Sequence, residues 1–511
     1  MKIRVGSRQS DLAKVQAYKI ERALKESEPR LEIEFHFKKS FGDRNLDRDL
    51  RDSSEKGVFT KDLTEDLLNG VCDCVVHSWK DLPTQLEGLN TKIVATLPRA
   101  DARDFVLVKR SSVERICAEK SLTILSSSPR REYHLGDFLK NHLPWQIDEV
   151  KFEVIRGNIP TRFNRWLENK SADGFVVAKA ALDRLLEMPD KFPEIGKTIK
   201  DILDNKAYWC VVPLSECPCA SAQGAIAVEI REGDTHLEKV FQKINSSSDF
   251  QDVLNERKTL SSFGGGCQQK IGCYSKSYQD GRIEFLSGET ESGQELFQRS
   301  FVQKERESPK FSKSELRVTR SKDLFKREAM KVDRQMPASR ALLVSHSKAL
   351  PPEWDSQLKN KFVWVSGSKT WKKLAQRGVW VNGSLDSLGE KDFCQNIESL
   401  GLGDAQKWTK LSHHRAPSDK IFNTPTYCLV ETDKTDWKPN AKMYYWSSAS
   451  VFLHALTNFP EIAEAFHACG MGSSYEIIAR YIPENRLYRF YNSVDFYDQC
   501  LIKTLSNESE V

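Results

Sequence analysis

Arginine recurs in the first half of the chain at predicted strand ends. Arg8 follows a strand, and Ser10 is placed to cap the helix after it. The run Ser126-Ser127-Ser128-Pro129-Arg130-Arg131 has the same setting, with proline suited to a first helical turn. Arg156-Gly157-Asn158 and Arg162 follow a strand ending at Ile155, and Arg184 follows a strand at 174–178. Strand ends line the ligand crevice of an open α/β sheet. Guanidinium groups gathered there with hydroxyls and helix N-termini make an anion site, suited to a substrate with several carboxylates or phosphates. One such arginine alone reads first as a surface ion pair worth about 0–1 kcal/mol. Several at strand ends point to a ligand.

Two other clusters carry reactive groups. Val75-Val76 runs into His77-Ser78-Trp79-Lys80-Asp81-Leu82-Pro83-Thr84. Asp81 can serve as a general acid or base or stabilise a developing cation, and Lys80 adds an anion contact. Taken alone, Asp81 reads first as a helix cap or turn residue. Gly264-Gly265-Gly266-Cys267-Gln268-Gln269 sets a cysteine on bare backbone, as a nucleophile or attachment point requires. Taken alone, that cysteine reads first as an inert thiol in a glycine turn.

The elements that must position these groups alternate. A strand at 2–7 precedes a helix with Ala13, Ala17, Ile20 and Leu24 on one face. Ile33, Phe35 and Phe37 alternate as a strand. A helix over 61–69, ended by Gly70, leads into a strand at 71–76. This β-α-β-α-β order predicts an α/β protein with parallel pairing. Further strands are expected at 104–108, 122–125, 151–155, 174–178 and 225–230. Beyond Gly233, helices at 236–244 and 249–260 precede alternating strands at 271–277, 282–287 and 297–303, which reads as a small α+β domain. Residues 339–505 return to α/β texture with an internal repeat. Phe362-Val363-Trp364-Val365 leads to Gly367, Thr370, Leu374 and Gly378, and Phe466-His467-Ala468-Cys469 leads to Gly470, Ser473, Ile477 and Tyr481, at the same offsets from the glycine. Each reads as strand, glycine turn and helix, a turn that aims backbone N–H groups over the helix start. Chance similarity between two common βα units is the alternative.

A length of 511 residues exceeds one core and implies three or four domains. The net charge of +5 equals that of Lys304–Arg334 alone, where eleven Lys/Arg face six Asp/Glu. The excess therefore sits in one segment, read as a solvated linker, and nucleic acid is not an expected partner. No apolar run reaches the ~18 residues of a membrane span, and the first residues read as a strand and not a signal peptide, so a cytoplasmic location away from membranes is expected. Of the twelve cysteines, Cys72/Cys74 and Cys217/Cys219 are spaced C-x-C without a histidine cluster. Free thiols and no metal are expected.

Taken together, the motifs resemble hydroxymethylbilane synthase, the porphobilinogen deaminase family. They run in order as Val5-Gly6-Ser7-Arg8-Gln9-Ser10, Gly42-Asp43, Lys56-Gly57-Val58-Phe59-Thr60-Lys61, His77 to Pro83, Pro98-Arg99 through Arg103-Asp104, Ser126 to Arg131, Arg156 to Arg162, Ala222-Gln223-Gly224-Ala225 and Gly265-Gly266-Cys267-Gln268. They cover about 1–305. The resemblance implies condensation of four porphobilinogen units with loss of ammonia, release of hydroxymethylbilane by hydrolysis, and a dipyrromethane cofactor held by a thioether at Cys267. It assigns Lys80, Ser128, Arg130, Arg131 and Arg162 to the cofactor, Arg8, Ser10, Arg156 and Arg184 to substrate, and Asp81 to catalysis through the pyrrole N–H groups. It further implies two doubly wound domains of periplasmic-binding-protein type, a small α+β domain, and a mobile loop over 43–60 containing Lys56; a monomer is expected. Domains are expected at 1–232 (two α/β domains, crossing near 100 and 200), 233–305 (the cysteine domain), 306–338 (a charged linker) and 339–511. Leu125-Ser126-Ser127-Ser128-Pro129 departs from the family's usual Gly-Thr-Ser-Ser-Leu, Gly264 stands where an acid is usual, and Ser215-Glu216-Cys217-Pro218-Cys219-Ala220 is unusual before Ala222.

Residues 339–505 resemble uroporphyrinogen-III synthase through the two glycine-helix units, Thr424-Pro425-Thr426-Tyr427 and Tyr445-Trp446-Ser447-Ser448-Ala449-Ser450-Val451. That resemblance implies a bifunctional chain, with a non-catalytic domain as the rival. A pure solute-binding protein shares the first architecture but needs neither Cys267 nor Asp81.

Overall fold

The computed structural model describes residues 1–39, 61–84, 90–265, 269–330, 335–390, 395–416, 421–432 and 437–502. The chain divides into two compact units. One comprises Met1–Ser277, Phe285–Gln298 and Glu398–Gly401, and the other holds the remainder.

The first unit holds two five-stranded sheets. The chain builds β1 (Lys2–Arg8), β2 (Glu32–Lys38), β3 (Cys74–Ser78) and β4 (Thr91–Ala95) before crossing to the second sheet. There it builds β5 (Asp104–Lys109), β6 (Ser121–Leu125), β7 (Glu149–Glu153), β8 (Gly174–Ala178) and β9 (Ala207–Val211), then returns as β10 (Ile226–Arg231). The orders are β2-β1-β3-β10-β4 and β7-β6-β8-β5-β9. Pairing is parallel within β2-β1-β3 and β7-β6-β8, as the alternating pattern predicts. It is not parallel throughout: β10 runs antiparallel to β3 and β4, and β5 antiparallel to β8 and β9. Each reversed strand adjoins a passage between the sheets, so its direction is set by the crossing and not by a helical βαβ unit. The second passage follows β9 at 212–225, later than the expected 200, because β9 was not among the expected strands.

Local patterning explains the layers. The helix Asp11–Ser27 buries Ala13, Ala17, Ile20 and Leu24, the anticipated face, and packs Ala17, Ile20 and Leu24 in one core with Ile3 and Val5 of β1. Gly70, at φ +72°, follows the helix Lys61–Leu68, where a side chain would be strained. The helix Thr235–Gln242 places Leu237, Val240 and Phe241 in the core of the first sheet, so the small domain begins after it and not at 233. What remains of that domain is the helix Ser247–Ser261 and a meander of β11 (Gly272–Tyr278), β12 (Gly281–Glu289) and β13 (Glu295–Gln303), with Leu260, Ile271 and Cys273 buried together.

The second unit is α/β with two more sheets. The strands are β14 (Leu316–Thr319), β15 (Phe325–Ala329), β16 (Ala341–Val344), β17 (Phe362–Val365), β18 (Gly383–Ser384), β19 (Trp408–His413), β20 (Phe422–Glu431), β21 (Met443–Trp446), β22 (Phe466–Cys469) and β23 (Leu487–Arg489). They order as β14-β21-β22-β23, all parallel, and β15-β20-β19-β16-β17-β18, parallel except for β15 against β20. Residues 306–338 are therefore not simply a linker: β14 and β15 fall within them. Leu316 and Phe325 are buried at the starts of these strands, and both are sheet edges, where lysine and arginine reach water. Both repeated segments form a strand, a glycine and a helix, the helices being Ser368–Ala375 and Ser474–Ile478.

Candidate active site

The strand β3 is buried throughout except at Ser78 and delivers Trp79–Asp81 as one 3-10 turn. Trp79 anchors the turn: it is 1% exposed, its ring lies 5.0 Å from Phe250, and its backbone N–H donates to Ala225 O at 3.1 Å. Arg257, from the helix Ser247–Ser261, donates to the carbonyls of Trp79 and Leu82, both at 3.4 Å, and to Pro83 O. Gln16 Nε2 donates to Ser78 Oγ at 2.7 Å. Lys80 and Asp81 thus project, half-buried, from a turn held on three sides. Neither Arg257 nor Gln16 stands out in the sequence, where both are ordinary polar residues of amphipathic helices.

The second domain brings cations near this turn. Arg162, in the helix Ile159–Glu168, is oriented by its own loop, Nε donating to Gly157 O at 2.7 Å. Burial above all, and then the charge of Arg131, lower its pKa to about 10, with Asp81 opposing the fall. Arg184, in the fully buried helix Lys179–Leu186, is likewise brought to about 10 by burial, with Glu187, Asp183 and Asp81 opposing. Lys80 is pushed below its ordinary value by burial, held up by Asp81 and pushed down by Arg131. One carboxylate, Asp81, therefore lies within the electrostatic reach of Lys80, Arg162 and Arg184. At neutral pH the arginines stay charged.

Arg130 and Arg131 start the helix Pro129–His142, with Pro129 in its first turn as expected. Both are buried, and both bind Asp104 of β5. Arg130 Nη2 reaches Oδ2 at 2.7 Å, while Arg131 Nε and Nη2 reach Oδ1 at 3.1 and 2.8 Å. The two guanidinium groups hold the Asp104 carboxyl far below the usual range despite its burial. Arg130 Nη1 also donates to Pro218 O at 2.7 Å and approaches Cys217 Sγ at 3.1 Å. In the altered serine turn, Ser127 Oγ bridges to Ile155, accepting its N–H at 3.1 Å and donating to its carbonyl. Ser128 occupies the N-cap with no side-chain bond to the helix. Ser10 does the same for the first helix. Arg8, at the end of β1, and Ser10, Ser128 and Arg156, beyond their strands, are all half-buried.

The small domain reaches the same turn. A Cβ on Gly265, whose φ is +63°, would stand 2.5 Å from Thr84 Oγ1, three residues after Asp81. Cys267 follows Gly265 by two residues in the sequence but lies outside the described residues, as do Lys56 and the expected loop 43–60. The helix Ser247–Ser261 is fixed by Glu256, which pairs with Arg99 at 2.6 and 3.0 Å and accepts the N–H groups of Ala222 and Ser275 at 2.8 and 2.9 Å.

Fold and site define an α/β protein in which one acid, Asp81 of the first domain, lies near cations of both domains, Lys80, Arg162 and Arg184. Residues 3–239 match the family described as porphobilinogen deaminase, dipyromethane cofactor binding domain. A porphobilinogen deaminase of Caldicellulosiruptor saccharolyticus is 34% identical over 286 residues, 56% of this chain and 88% of that protein. Those of Bacillus subtilis and Dictyostelium discoideum are 33% and 31% identical, covering 53% and 54% of this chain and 78% of each relative. The chain belongs to the porphobilinogen deaminase family, and its matched region is the domain of that family that binds a dipyrromethane cofactor. Among the described residues, no helix is long and apolar enough to cross a membrane.

Proposed function

We propose that residues 1–305 condense four porphobilinogen molecules into hydroxymethylbilane with release of ammonia, as a cytoplasmic monomer. The observation that carries this reading is the nearness of Asp81, from the first domain, to Arg162 and Arg184 of the second. The residues fit a dipyrromethane. It carries carboxylates and pyrrole N–H groups, and the cleft offers Lys80, Arg131 and Arg162 for the former and an acceptor, Asp81, for the latter. Arg184 Nε, buried with no hydrogen-bond partner among the described residues, is a donor awaiting an acceptor.

In this reading Cys267 holds the cofactor through its sulfur, with Lys80, Ser128, Arg130, Arg131 and Arg162 around it. Arg8, Ser10, Arg156 and Arg184 take the acetate and propionate groups of incoming porphobilinogen. When bound, the cofactor supplies the pyrrole carbon onto which the product is built. Asp81 accepts pyrrole N–H groups and stabilises the positive charge that develops as ammonia leaves, an effect available only from a preorganised anion. Arg130 and Arg131 act from fixed positions, because Asp104 sets both guanidinium groups before any ligand arrives.

The test is the intact mass of the protein beside Cys267→Ser, with porphobilinogen turnover measured on both. A dipyrromethane-sized addition in the wild type alone, with turnover, supports the reading. Bare polypeptide in both after incubation with porphobilinogen, with no turnover, rejects it and leaves a solute-binding protein.

For residues 339–511 we propose a uroporphyrinogen-III synthase that closes the hydroxymethylbilane. The observation favouring it is the pair of strand–glycine–helix units, each in a largely parallel sheet. Full-length protein given porphobilinogen should then yield uroporphyrinogen III. Formation of isomer I alone would leave a non-catalytic domain.

A further inference from the structure

The two passages between the α/β domains of the first unit run side by side. Arg99 Nε donates to Gln223 O at 2.9 Å, Ala100 N–H to Gly224 O at 3.1 Å, and Gln223 Nε2 to Ala102 O at 2.7 Å. Gly224 is their tightest point. Its φ is +89°, and a Cβ there would stand 2.4 Å from Ala100 O, so only glycine fits. Where two connections between domains touch, a change in their contact changes the angle between the domains.

Gly224 O accepts a second bond, from the body of the second domain. Arg184 Nη2 donates to it at 2.7 Å, from the helix Lys179–Leu186. Arg184 is 4% exposed. One guanidinium has five N–H groups in a fixed plane, and a carboxylate takes two of them at once. Arg184 can therefore hold Gly224 O and a ligand carboxylate together, with its buried Nε still unbonded among the described residues.

We infer that Arg184 is a positioning residue that braces the hinge, joining a substrate carboxylate to the point where the two passages meet at Ala100 and Gly224. The inference rests on the deaminase reading for the identity of the carboxylate, but the brace itself is present without ligand. Each porphobilinogen bound at Arg184 thus biases the angle between the domains that carry Asp81 and Arg162. A residue that only contacts substrate would leave the empty protein unchanged.

The experiment uses full-length holoprotein carrying encoded, thiol-independent spin labels at Glu34 in β2 and Lys151 in β7, both exposed. Distances between the labels are measured with and without porphobilinogen, in the wild type, Arg184→Lys and Arg184→Met. Arg184→Lys keeps a charge for the carboxylate but not the planar fork. The expected result is a ligand-free distance distribution broader in both variants than in the wild type. In Arg184→Lys the shift that porphobilinogen produces in the wild type should be lost while substrate still saturates. Ligand-free distributions identical to wild type in both variants would overturn the brace. Wild type that neither carries the cofactor nor turns over porphobilinogen would defeat the deaminase reading instead, and the ligand-free comparison would still decide the brace.

Discussion

Asp104 holds Arg130 through Oδ2 and Arg131 through Oδ1, and all three side chains are buried. One carboxylate thus fixes two cations. Removing it strands both charges, a change that typically costs about 3–5 kcal/mol. Asp104→Ala should lower the unfolding free energy, measured by urea denaturation, by an amount in that range. Asp104→Asn, which keeps an acceptor but no charge, should cost less and still reduce the fraction of protein carrying the cofactor by intact mass. Full cofactor loading in Asp104→Asn with unchanged turnover would show that Asp104 orders the fold and not the site.

Asp81 is half-buried at the end of a turn secured through the Trp79 ring, the Ser78 hydroxyl and the carbonyls of Trp79 and Leu82, contacts that do not use its carboxylate. Its removal should therefore spare the fold. Loss of a preorganised charge that stabilises a transition state typically raises the barrier by about 2.7–4 kcal/mol, or 10²–10³ in rate. Asp81→Ala should melt like wild type and lose turnover by that factor. Steady-state assay and thermal melting check this together, and near-normal turnover would remove Asp81 from the chemistry.

Short-range pattern made much of this legible. The helix face of Ala13, Ala17, Ile20 and Leu24, the strands with buried valines, and the arginines after them all follow from local periodicity. Elements with no periodic signature did not announce themselves. β4 is Thr-Lys-Ile-Val-Ala, and β14 and β15 lie inside a charge-dense stretch whose strands are short edges. The antiparallel sense of β5 and β10 depends on where the chain crosses, which residue order alone does not encode. The same holds for the site. Arg130 and Arg131 were visible as a pair, but their shared partner Asp104 lies 26 and 27 residues away. Arg257 and Glu256 stand on a helix whose buried face is partly polar, a departure that marks a junction between domains only once the neighbours are known.

Glu256 ties three segments: Arg99 in the first passage, Ala222 in the second, and Ser275 in β11. Glu256→Ala leaves Arg99 buried without its anion and two N–H groups without acceptors. A destabilisation of about 3–5 kcal/mol is expected. Glu256→Gln restores an acceptor but not the charge and should recover part of it. Because the junction carries the cysteine domain, protease sensitivity near 264 should rise in both variants before global unfolding. Equal protection in wild type and Glu256→Ala would show that the junction does not depend on this carboxylate.

Asp495, in the second unit, accepts the N–H groups of Phe301 and Tyr491 on Oδ2, at 3.0 and 2.7 Å, and Gln499 Nε2 on Oδ1 at 2.7 Å. Burial nonetheless pushes its pKa up to about 6, against 3.8 for an unperturbed aspartate, with those hydrogen bonds opposing the shift. The folded state therefore holds the proton more tightly than the unfolded state. The stabilisation from that proton is fully present below about pH 4 and is lost as pH rises through about 6. A shift of this size corresponds to about 2–3 kcal/mol. Asp495→Asn cannot ionise and can keep both backbone N–H partners on its oxygen. Relative to wild type, it should be more stable at pH 7.5 than at pH 4 by roughly that amount. Urea denaturation of the two proteins at both pH values measures it directly, since titrations common to both cancel in the difference. A stability difference independent of pH would mean that Asp495 ionises as easily in the folded protein as in the unfolded chain.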